Sequence, residues 1–81
     1  MLNKLESRII ENMELITYEV ENDDKVQKIM VAWRTDWNKL RDVTVYYKSG
    51  RNATFSGNLS NHQMPIKYRN YIKQILKKEG K

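Results

Sequence analysis

Residues 16–33, Ile16-Thr17-Tyr18-Glu19-Val20-Glu21-Asn22-Asp23-Asp24-Lys25-Val26-Gln27-Lys28-Ile29-Met30-Val31-Ala32-Trp33, hold two alternating segments around a polar break. Ile16, Tyr18 and Val20 alternate with Thr17, Glu19 and Glu21, and Ile29, Val31 and Trp33 alternate with Lys28, Met30, Ala32 and Arg34. Period two is the mark of a half-buried strand. Asn22-Asp23-Asp24-Lys25 has turn composition. An even-numbered loop at Asp23-Asp24 sets Tyr18 opposite Ile29 and Ile16 opposite Val31. The two apolar faces then agree, which predicts an antiparallel hairpin.

Before this segment, Leu2, Leu5, Ile9, Met13 and Ile16 recur at spacings of three and four, which predicts a helix over about residues 2–13. Residues 35–42 show neither period for long and fit a helical turn capped by Thr35 or a wide loop. Val43, Val45 and Tyr47 alternate with Thr44, Tyr46 and Lys48, a third strand. A fourth follows Ser49-Gly50-Arg51, and a three-residue loop there, setting Val45 against Phe55 and Tyr47 against Ala53, keeps the apolar faces together. Ser60-Asn61-His62-Gln63 has capping-box form. Pro65 suits the first turn of a helix that runs to about Glu79 and stops at Gly80. Tyr68, Tyr71, Ile72, Ile75 and Leu76 form its apolar stripe. The expected architecture is one small α+β domain over residues 1–81: an N-terminal helix, a four-stranded antiparallel sheet, and a C-terminal helix packed on one sheet face.

Composition narrows the chemistry. Among the 81 residues there is no cysteine and a single histidine, His62, so disulfide frameworks and Cys- or His-rich metal centres are excluded. Asp23 and Asp24 read as turn formers rather than ligands. A Ser-His-Asp set could draw only on Ser60, His62 and Asp36 or Asp42, which nothing in the spacing orients. Glu19 and Glu21 share a solvent face, and three glycines make no phosphate loop. No enzyme and no cofactor are expected. Asn52-Ala53-Thr54 and Asn58-Leu59-Ser60 match the glycosylation pattern at chance level. There is neither a membrane-length apolar run nor a signal-peptide pattern, so a cytoplasmic protein without membrane contact is expected.

Charge is unevenly placed. The formal net charge is +5. Residues 1–24 hold two basic and seven acidic side chains, a net −5, and residues 25–81 hold thirteen basic and three acidic, a net +10. Either the two parts neutralise one another or the molecule is two-sided, its basic side meeting a polyanion. Nucleic acid is the expected partner, bound by a basic sheet and helix surface. The residues that pattern supplies are Lys28, Arg34, Tyr46, Lys48 and Arg51 on the sheet, with Lys73, Lys77 and Lys78 on the helix. Tyr46 and Trp37 are the aromatics that periodicity leaves unburied. The other reading is an inhibitor from a phage or mobile element that occludes a host or defence enzyme, the acidic segment 6–24 imitating phosphate.

Overall fold

The computed structural model describes residues 1–57 and 63–81. Five strands and one helix follow in chain order: β1 Leu2–Ile10, β2 Met13–Val20, β3 Val26–Arg34, β4 Lys39–Tyr47, β5 Asn52–Ser56 and α1 Ile66–Lys78. The strands form one antiparallel meander in the order β1-β2-β3-β4-β5, and α1 covers one face.

The expected N-terminal helix is absent, and the sheet has five strands rather than four. Residues 2–10 are a strand joined to β2 by Glu11-Asn12, with Glu11 at φ 54°. A bulge explains the helix-like spacing. The register slips between Lys4 and Glu6, so Leu2 pairs with Val20 while Ile9 pairs with Glu14. Val20 and Glu14 share a face of β2, so Leu2 and Ile9, seven residues apart, share a face of β1. A helix puts i and i+7 on one face; a regular strand puts them on opposite faces.

The β2–β3 hairpin has the expected register, with Tyr18 opposite Ile29 and Ile16 opposite Val31. β4 starts at Lys39, inside the segment that showed no period. A register shift at Ala32/Trp33 interrupts its alternation. The β4–β5 loop is the three-residue Lys48-Ser49-Gly50, but the pairing lies two residues from that expected: Val45 meets Ala53 and Val43 meets Phe55. Gly50 at φ 92° lets the turn close at once, the Tyr47 amide donating to the Arg51 carbonyl at 2.9 Å. The slip of two keeps every side chain on its expected face.

Two cross-strand rows form the sheet's half of the core, Ile16-Val31-Val43-Phe55 and Tyr18-Ile29-Val45-Ala53. Met64, Ile72 and Ile75 supply the other half and are fully buried, with Tyr68, Tyr71 and Leu76 packed alongside. Pro65 is the N-cap of α1 and Gly80 follows its end at φ 75°. The capping box at Ser60–Gln63, His62 and the second glycosylation match lie wholly or largely outside the described residues.

Candidate nucleic-acid interface

The sheet face away from α1 carries no helix among the described residues; its central Thr17, Ala32 and Thr44 are buried among their strand neighbours, and Lys28, Met30 and Tyr46 are partly exposed. Register places on it a row from Glu19 through Lys28 and Tyr46 to Asn52, and another from Thr17 through Met30 and Thr44 to Thr54. Lys28 Nζ stands 5.1 Å from the centre of the Tyr46 ring, and the Thr44 and Thr54 hydroxyls are 3.1 Å apart. Arg34 lies at the far end of the β3 row, about 20 Å from Lys28 at strand rise. There the Trp37 ring is 62% exposed, with Arg34 Cζ at 4.0 Å and Lys39 Nζ at 5.6 Å from its centre. Arg41 joins this group by donating to Met13 Sδ. A shallow depression of about 290 Å³ lies between Ile10, Met13, Arg34 and Arg41.

Both arginines on this face have carboxylates beside them. Arg34 donates from Nε and Nη2 to both oxygens of Asp36, at 3.1 and 2.7 Å. That pairing raises the guanidinium pKa and lowers that of Asp36. Arg41 lies 3.7 Å from Asp42, and Lys28 is directly opposite Glu19 in the register. The aromatic platform is present and the charge of its two arginines is matched, while Lys28 and Lys39 enter no ion pair among the described residues.

The helix is different. Ile66–Lys78 contains no acidic residue. Lys73, Lys77 and Lys78 are exposed, and among the described residues none of them enters an ion pair. The last two also sit at the negative end of the helix dipole, which favours their charge. Lys48 and Arg51 are likewise exposed at the β4–β5 turn, which the Lys48 amide ties to the Lys25 carbonyl at 2.9 Å. Thus the eight predicted residues divide into three groups. Lys28, Tyr46 and Arg34 lie on the open face, Lys48 and Arg51 at a turn, and the three lysines on the outside of α1, across the sheet.

Two carboxylates, the buried Asp23 of the β2–β3 turn and the half-buried Glu79 at the end of α1, hold the helix in place by contacts that the sequence did not predict. Asp23 accepts from the Lys25 and Val26 amides at Oδ1, and from Tyr71 Oη and Lys67 Nζ at Oδ2, both at 2.7 Å. Burial opposes its ionisation, but Lys67, the two amides and Tyr71 together outweigh this and hold it well below the ordinary carboxylate range. Glu79 accepts from Tyr18 Oη and from Lys4 Nζ at 3.0 Å. Burial works against its charge too, yet these donors leave its pKa lowered. Burial, then the Glu79 bond, pushes Tyr18 up to about 12. With Lys81 to Glu14 at 3.2 Å, these pairs join the acidic strands to the basic helix, so the two charge blocks are partly neutralised. The turn-former reading of Asp23 holds, and the aspartate also docks the helix.

Lys39, Arg41 and the arrangement around Trp37 escaped sequence reasoning because residues 35–42 showed no period from which a face could be assigned. Among the described residues, no three His, Cys, Asp or Glu side chains gather as a metal site, and no helix is long and apolar enough to cross a membrane. Compared with protein-family models, curated proteins and solved structures, the chain matches none.

Proposed function

We propose that the chain is a non-catalytic nucleic-acid-binding protein whose main phosphate contacts come from Lys73, Lys77 and Lys78 on the outside of α1, assisted by Lys48 and Arg51. The observation carrying this reading is a charge contrast: the open-face arginines Arg34 and Arg41 stand next to Asp36 and Asp42, whereas α1 contains no acidic residue and Lys73, Lys77 and Lys78 enter no ion pair among the described residues. Such lysines release condensed counterions on meeting phosphate, which gives affinity without sequence preference. Oligonucleotide binding followed by anisotropy against salt tests it. Replacing the three helix lysines with alanine should lower the log–log salt slope by about two to three units, one for each phosphate that a lysine no longer neutralises. Tyr46→Ala should leave the slope unchanged, and it costs affinity only if bases stack on the sheet. Absence of binding to both single- and double-stranded oligonucleotides at low salt defeats the reading.

A second reading, occlusion of a host or defence enzyme in the manner of a phage inhibitor, draws on the exposed Trp37 and its charge-matched surroundings. An aromatic ring backed by an arginine is the composition of a protein-interface anchor. Capture from lysate with and without nuclease separates the two readings, since only a nucleic-acid-mediated partner is lost on digestion.

A further inference from the structure

We propose that β1 is a self-recognition edge to which a second copy of the chain adds antiparallel, the twofold axis passing through Ser7. β1 ends the strand order and is nine residues long. Leu5, Ile9 and Ile10 are 52%, 72% and 44% exposed along it, and every residue from Lys4 to Ile10 is exposed. A long edge strand with apolar side chains in water is a template for another strand.

The backbone is set for that. The Thr35 amide donates to the Asn12 carbonyl, so in the β2–β3 register the even-numbered residues of β2 face β3 and the odd-numbered ones face β1. The β1 residues opposite Met13, Leu15 and Thr17 are Ile10, Arg8 and Glu6, whose main-chain groups therefore serve β2. Ser7 and Ile9 then turn their N–H and C=O groups to the open edge.

The side chains make the edge complementary to itself. With the axis at Ser7, Glu6 lies opposite Arg8 of the second copy and Leu5 opposite Ile9, and symmetry repeats each pair. Opposite charges and apolar pairs directly across a ladder both favour pairing. Neither Glu6 nor Arg8 enters an ion pair within the chain among the described residues. An axis at Glu6 would oppose Lys4 to Arg8, two like charges, and an axis at Leu5 would bring the two bulges together at the centre of the ladder, whereas the axis at Ser7 leaves them towards its ends. Because the axis is perpendicular to the sheet, the assembly is one ten-stranded sheet with both helices on the same face.

Sedimentation equilibrium of the full chain, without nucleic acid, from micromolar to millimolar concentration tests this independently of the proposed function. A monomer–dimer equilibrium is expected. Ser7→Pro removes an edge-facing amide and leaves the β2 ladder intact, so it should give a monomer with an unchanged circular dichroism spectrum. Ser7→Ala, which loses only the side-chain bond to Glu14 at 3.0 Å, should still dimerise. Glu6→Arg or Arg8→Glu alone should weaken association roughly tenfold through two like-charge pairs, and the two together should restore it. Since the chain has no cysteine, Ser7→Cys should give a disulfide-linked dimer under mild oxidation. A wild-type chain that stays monomeric to millimolar concentration, a dimer indifferent to Ser7→Pro, or a double charge reversal that fails to restore association overturns the proposal.

Discussion

The two faces of the sheet solve the problem of charge in opposite ways. On the covered face, the buried Asp23 and the half-buried Glu79 are tied across long stretches of chain: Asp23 to Tyr71, 48 residues on, and Glu79 to Tyr18, 61 residues back. On the open face, charges are matched to near neighbours, Arg34 to Asp36 and Arg41 to Asp42, in water. Buried pairs of the first kind decide whether the helix docks, because losing one partner strands the other in a place water does not reach. Pairs of the second kind contribute little to stability and mainly set the field a ligand meets. Part of the chain's surplus of positive charge, Lys73, Lys77 and Lys78, is left on the outer side of α1, where neither arrangement consumes it.

The largest test of that contrast is across the helix itself. Ile72 is fully buried, so Ile72→Asp places an unpaired charge in the core and should unfold the protein. Lys73→Asp, one residue on and facing water, should change stability by less than about 1 kcal/mol. Equal thermal shifts would mean that α1 docks by another face.

Next comes Asp23. Asp23→Ala should cost about 2–4 kcal/mol in denaturant unfolding, as it orphans two amides and the Tyr71 hydroxyl. Lys67→Ala should cost much less than Asp23→Ala, since Lys67 is half exposed and its charge is screened by water. Acid should act in the same direction. The pKa of Asp23 is depressed in the folded state, so its contribution is complete above about pH 5 and fades as pH falls below the unfolded value near 4. Glu79 has the same sign. Unfolding midpoints against pH should show a steep acid limb in the wild type and a flatter one in Asp23→Ala.

How much of this is legible in the chain depends on how local the cause is. The β2–β3 register follows from two clean alternations and a four-residue polar break, and the stripe of α1 follows from five apolar residues and a proline. β1 misleads because one extra residue at Lys4–Glu6 turns period two into spacings a helix shares, and because Leu5 and Ile9 stay exposed instead of joining the core. The alternation of Leu5, Ser7 and Ile9 with Glu6 and Arg8 is the clue to the strand. Tyr46 beside Lys28 is predictable, being a cross-strand pair. That Asp23 and Glu79 anchor the helix is not, since nothing in sequence order shows which residues 48 or 61 places away will meet.

The smallest expected effects lie at high pH and on the open face. Tyr18 is raised from 10.0 to about 12 by burial first and Glu79 second. A raised tyrosine favours the native state until the unfolded chain begins to ionise, so stability should fall as pH rises from about 10 towards 12. Tyr18→Phe should remove part of that alkaline limb and, by taking away one of the two donors to Glu79, lower stability at neutral pH by about 1 kcal/mol. Trp37→Ala is the open-face counterpart. The ring is mostly in water, and its cation–π contact with Arg34 is worth about 0.5–1 kcal/mol at such sites, so the melting temperature should barely move and neither pH limb should change. If Trp37→Ala instead destabilised the fold as much as Asp23→Ala, the open face would be structural, and its claim to be a free binding surface would fail with it.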